Sequence, residues 1–97
     1  MPAAPSYPDA KMLIGGKWVM SDPQPVYDPC DGTLIGQRAH ATAADLDEAV
    51  GAARKGMREW WDLGPVGRES VMAKAADLLR ARVEAIARII TLEEGKT

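Results

Sequence analysis

The sequence predicts an α/β chain, with short β-hairpins in its first part and two or three α-helices in its second. Three observations carry this. Gly15-Gly16 and Asp28–Gly32 punctuate residues 12–38 into brief extended runs. From Thr42 onward, apolar residues recur at steps of three and four instead of two. Gly95 then follows the last of these patterns, where a glycine stops a helix.

Residues 1–11, rich in Pro, Ala and Ser, read as a mobile N-terminal tail. Met12–Ile14 is a short apolar run, and Gly15-Gly16 is a two-residue turn of the hairpin type that sends Lys17–Val19 back antiparallel. A polar loop holding Pro23 and Pro25 precedes an extended Val26-Tyr27. Asp28-Pro29-Cys30-Asp31-Gly32 is a turn, since Pro favours its second position and Gly32 tolerates positive φ. Thr33–Arg38, with β-branched Thr33 and Ile35, returns as a strand, so strands occupy 12–38.

Thr42 is an N-cap residue with Asp45 at N3, an acidic variant of the capping box, and opens a helix over about 43–61. Its acids crowd the first turns and Arg54, Lys55 and Arg58 the later ones, as the helix dipole favours. Leu46, Val50, Ala53, Met57 and Trp60 or Trp61 form its apolar stripe. Gly51 and Gly56 each cost about 1 kcal/mol relative to Ala, and close approach of a neighbouring element is the expected compensation. Asp62-Leu63-Gly64 breaks the pattern, and Pro65 suits a first helical position. Over 65–94, Met72, Ala75, Leu79, Val83, Ile86 and Ile90 recur with helical spacing, widened by Val71, Leu78 and Ile89. This is one helix, or two with a bend near Arg82. Glu84 and Arg88 are spaced for an i,i+4 pair worth about 0.3 kcal/mol. A coiled coil is excluded, because the heptad frame puts Arg82 and Glu93 on the seam.

With 97 residues, 46% hydrophobic and 27% charged at a net charge of -2, the chain is a soluble globular segment of one small domain at most. Nothing in its charge pattern fits nucleic acid, and no apolar run is long enough for a membrane span. The opening MPAAPSYPDAK has neither the basic start nor the apolar stretch of a signal peptide, so the expected compartment is the cytoplasm. A single Cys30 excludes an internal disulfide, and a single His40 leaves no material for a zinc cluster.

The candidate chemistry fails site by site. The closing Gly95-Lys96-Thr97 has the letters of a phosphate loop, but the glycine needed five positions earlier is Ile90, and a helix precedes the loop instead of following it. Gly15-Gly16 lacks the further glycine and the helix of a dinucleotide fingerprint. Cys30 sits between Pro29 and Asp31, where a neighbouring carboxylate disfavours the thiolate. His40 has no partner at a spacing that implies a triad, and Glu93 and Glu94, adjacent on a helix, point apart. Trp18, Trp60 and Trp61 are expected to pack. No catalytic, cofactor-binding or metal-ligating residue is assigned within the chain.

The order of the segments is more specific than any one of them. IGGKWV, YDPCDGTLIG, ATAADLDEAVGAARKGMREW, then Arg68 and AADLLRARVEAIARIITLEEGK, together resemble the N-terminal portion of the aldehyde dehydrogenase superfamily. The resemblance runs from about Leu13 to Thr97 and looks closest to the succinate-semialdehyde dehydrogenases. It implies an incomplete piece of a cofactor-binding α/β domain, from a parent enzyme that oxidises an aldehyde substrate to a carboxylic acid with NAD or NADP. In that family a cysteine thiolate attacks the carbonyl, hydride passes to the cofactor, and a glutamate acts as base. All of those residues lie beyond Thr97, so the segment alone is expected to bind no cofactor and to be inactive. Cys30 occupies a turn position where relatives carry a small residue and is not the nucleophile. Some relatives hold a monovalent cation on backbone carbonyls near Val26 and Tyr27, a site not carried over here. The full-length protein is expected to be a homo-oligomer. The rival reading is a small non-catalytic helical interaction or regulatory module.

Overall fold

The computed structural model describes residues 7–95. Strands β1 (Met12–Ile14) and β2 (Lys17–Val19) form the first hairpin, in the register Met12↔Val19, Leu13↔Trp18 and Ile14↔Lys17. Gly15 and Gly16 have φ of 57° and 78°, the pair of positive values that gives a two-residue turn the twist of its strands. Strands β3 (Gln24–Tyr27) and β4 (Leu34–Arg38) form a second, separate hairpin. Its register slips between Val26 and Tyr27, so Val26 faces Gly36 while Tyr27 faces Leu34. The connecting turn is closed by the Asp28 amide on the Thr33 carbonyl at 2.8 Å and the Gly32 amide on the Asp28 carbonyl at 2.8 Å. Two aspartates stitch it from within. Asp28 Oδ1 accepts from the Cys30 amide, and Asp31 Oδ1 from the Thr33 amide and hydroxyl. Those Thr33 donors hold the Asp31 carboxyl below the usual carboxylate range.

Of the expected tail, residues 1–6 lie outside the described residues. The remainder does not trail away. Ala10 makes a parallel bridge with Arg38: its amide donates to the Gln37 carbonyl at 2.9 Å, and its carbonyl accepts from the Ala39 amide at 2.7 Å.

Helix α1 (Ala43–Asp62) starts as its sequence dictates. Thr42 Oγ1 accepts from the Asp45 amide at 3.1 Å, while Asp45 Oδ2 accepts from the Thr42 amide at 2.9 Å. The hydrogen bond from Thr42, supported by the Ser21 hydroxyl, holds the Asp45 carboxyl below its ordinary value of 3.8. Because the folded value is the lower one, the cap's contribution is present above 3.8 and disappears as pH falls through the depressed value. Thr42→Ala is expected to cost about 1 kcal/mol of helix stability. A circular dichroism titration into acid should show helicity falling below pH 3.8, and Asp45→Asn should remove that component of the titration.

The run expected over 65–94 divides into α2 (Gly64–Ala81) and α3 (Val83–Glu94). The break is Arg82, at φ -112° and ψ 12°, with its amide on the Leu79 carbonyl at 3.1 Å. This is the second of the two readings, two helices with a bend near Arg82, although neither Pro nor Gly stands there. Between α1 and α2, Gly64 takes φ 72° and reverses the chain. Arg68 braces this joint: Nη1 donates to the Trp61 carbonyl at 3.0 Å, and the guanidinium lies 4.9 Å from the Trp61 ring centre.

Packing is sparse. Among the described residues Ile14 is the one buried hydrophobic, at 7% exposure. The accessible surface is 7865 Å2, against about 5,400 Å2 for a compact chain of this mass. The radius of gyration is 17.0 Å, against about 12.5 Å. The first hairpin rests on α1, with a Cβ built on Gly15 lying 3.8 Å from that of Ala52. The close approach expected at Gly51 and Gly56 is not made: a Cβ on either would meet nothing within 4 Å. The Lys and Arg ion pairs formed among the described residues are Lys55–Glu59 and Arg80–Asp77, so the expected Glu84–Arg88 pair is not closed.

Candidate functional site

Each residue with chemical potential has its place in this frame. Cys30 is an exposed free thiol at the tip of the β3–β4 turn. Its Sγ lies 3.3 Å from where a Cβ on Gly95 would stand, so it faces the C-terminal end of α3. His40 lies beyond the opposite end of β4, its amide on the Ser21 carbonyl at 2.9 Å and its Nδ1 3.4 Å from Asp22 Oδ2. Five strand residues span roughly 17 Å, so Cys30 and His40 do not form a nucleophile–base pair. Glu93 accepts a hydrogen bond from the Tyr7 hydroxyl. No group of three His, Cys, Asp or Glu among the described residues is arranged to hold a metal ion. No described helix is long and apolar enough to cross a membrane.

Gly95 caps α3 in the left-handed conformation at φ 70°, with its amide on the Thr91 carbonyl at 2.9 Å. It ends a helix instead of opening one, as expected, while Lys96 and Thr97 lie outside the described residues. The Gly15-Gly16 turn leads into β2 and not into a helix. Neither of these two glycine sites therefore opens a helix on which a dinucleotide phosphate could sit.

What the chain does present is an uncovered apolar face. Leu46, Val50 and Met57 of α1 are 53–68% exposed, and Met72 and Leu79 of α2 and Val83 of α3 are 58–61% exposed. Beside the first group, Met57, Arg58, Trp60, Trp61 and Asp62 line a cleft of about 410 Å3. A second cleft, of about 480 Å3, runs between the first hairpin and α1, with Ala49, Ala52 and Gly56 in its wall. These side chains leave apolar surface on all three helices open to a packing partner.

Two residues that matter here had little signal in the sequence. Tyr7 is the one aromatic residue in the stretch read as a tail, which was its only cue. Arg68 meets Trp61 across a helix break, a relation that helical spacing does not encode.

Residues 18–97 match the aldehyde dehydrogenase family, and the chain belongs to that family. It is 33% identical over 95 residues to the human mitochondrial "methylmalonate-semialdehyde/malonate-semialdehyde dehydrogenase", described as acylating, covering 95% of this chain and 18% of that protein. The rat and mouse proteins of the same name are each 32% identical over the same shares. The chain thus spans under a fifth of the length of these relatives. They share the semialdehyde class expected from the sequence, but carry methylmalonate and malonate in their names where the resemblance pointed to succinate.

Proposed function

We propose that this chain is the N-terminal segment of an NAD(P)-dependent aldehyde dehydrogenase acting on a semialdehyde, and that its own role there is architectural. The family match over residues 18–97 carries the reading, and semialdehyde substrates are suggested by the names of the relatives. Cofactor site and nucleophile are proposed to come from outside residues 7–95; the Gly15-Gly16 turn leading into a strand and the separation of Cys30 from His40 along β4 support this. Within the parent enzyme, the segment would contribute the apolar face of its helices to a core completed by the rest of the domain. The parent enzyme is proposed to be a cytoplasmic homo-oligomer, a reducing setting that suits the free exposed thiol of Cys30. Cell fractionation and sedimentation of the full-length protein test those two points.

The central test is a chimera. Residues 18–97 replace the matching segment of the human relative, and NAD(P)H formation is followed with malonate semialdehyde. A soluble chimera should retain activity within about tenfold, because the segment supplies packing and not reacting groups. An unrelated helical segment of equal length should give none. A soluble, oligomeric chimera without turnover would count against the assignment.

A further inference from the structure

We infer that Tyr7–Lys11 form a strap fixing α3 to the β3–β4 hairpin, with Tyr7 as its latch and Arg82 as the joint at the other end of the helix. The strap is anchored on β4 by the two backbone hydrogen bonds of Ala10, to Gln37 and from Ala39. From there the chain brings the Tyr7 ring against Gly36. A Cβ on Gly36 would lie 2.8 Å from Tyr7 Cε1, closer than real Cβ contacts come. Gly36 does not have a left-handed backbone, so its glycine makes room for the ring and is not required by φ. The Tyr7 hydroxyl donates to Glu93 Oε1 in the last turn of α3. A carboxylate at that end of a helix opposes the dipole, and the donated hydrogen bond offsets the repulsion. Beside it, Gly95 rests on the turn, 3.3 Å from Cys30 Sγ and 3.5 Å from Pro29 Cγ measured from its would-be Cβ.

Three stretches far apart in sequence therefore meet at one end of the second hairpin: Tyr7, the Pro29–Gly36 region, and Glu93–Gly95. At its other end α3 has no side-chain cap and begins at a residue outside helical geometry. A helix latched at its C-terminal end and jointed at Arg82 is a hinged element. The raised Tyr7 ionisation, pushed up to about 12 by partial burial and by Glu93, keeps the hydroxyl protonated as a donor at neutral pH.

Millisecond amide exchange read by mass spectrometry on the full 97-residue chain tests the strap, comparing wild type with Tyr7→Phe and Gly36→Val. Tyr7→Phe removes only the donor, and Gly36→Val pushes the ring away with the hydroxyl intact. Both should speed exchange in residues 83–95 about threefold to tenfold, the loss of one net hydrogen bond, while residues 43–62 keep their rates. Unchanged exchange in α3 with either variant, equal acceleration in α1, or an α3 already unprotected in wild type would each overturn the strap.

Discussion

Heated in dilute buffer, the purified 97-residue chain should lose helicity over a broad range without a sharp transition, and should sediment as self-associated species. The reason lies in the surface. About 2,500 Å2 more is exposed than a compact chain of this mass would show. Fully burying a large aliphatic side chain is worth roughly 1.5–3 kcal/mol, and Leu46, Val50, Met57, Met72, Leu79 and Val83 each leave more than half of theirs exposed. At about 1 kcal/mol forfeited per residue, those six alone match the lower end of the 5–15 kcal/mol that keeps a domain folded. The hairpins do not make up the difference, because each is an isolated pair of strands and a two-stranded hairpin is marginal alone. What persists is the capped start of α1, the braced α1–α2 joint, and the second hairpin with the end of α3 that Tyr7 straps to it. Adding the remainder of a family relative as a separate chain should restore a cooperative melt by covering the face. Calorimetry with analytical ultracentrifugation decides it. A single sharp transition from a monomer of the chain alone would show that these residues are self-sufficient, and the architectural reading would lose its physical basis.

The parts of this structure written by short-range chemistry were legible in the sequence. Thr42 with Asp45, Gly15-Gly16, the Asp28–Gly32 turn and Gly95 each specify their own geometry within a few residues, and each formed as expected. The order of those pieces also pointed to the family that the match over residues 18–97 shows. The tertiary relations were not legible. Tyr7 reaches Glu93 across 86 positions, and no periodicity links them. The bend at Arg82 was legible only as one of two readings, one helix or two, because it lacks the Pro or Gly by which sequence announces a break. Gly51 and Gly56 differ again, since the partner that would explain a small residue at those positions is not found among residues 7–95. Their cost in the helix, about 1 kcal/mol each, is compensated only if something packs there.

The same missing groups set the second large effect: the purified chain should form no NAD(P)H from any aldehyde. Covalent oxidation needs a thiolate, a base within reach of it, and donors placed for the oxyanion. The one thiol, Cys30, is set against each requirement. It sits at an exposed turn tip, and the Asp28 and Asp31 carboxylates in that turn accept from the Cys30 and Thr33 amides and the Thr33 hydroxyl. The one imidazole, on His40, stands beyond the far end of β4 and is turned to Asp22. Enzymes typically accelerate their reactions by 10⁶-fold or more, and a lone, unactivated thiol supplies almost none of that. Cys30→Ala should therefore be silent in two settings at once. It should leave the null activity of the isolated chain unchanged, and it should leave the activity of a chimera carrying residues 18–97 unchanged, because on the proposed reading the segment supplies no reacting group. The measurement is NAD(P)H absorbance over an aldehyde panel with chain purified through two orthogonal steps. Turnover that co-purifies with the chain and vanishes on Cys30→Ala would make Cys30 a nucleophile and this segment an enzyme in its own right.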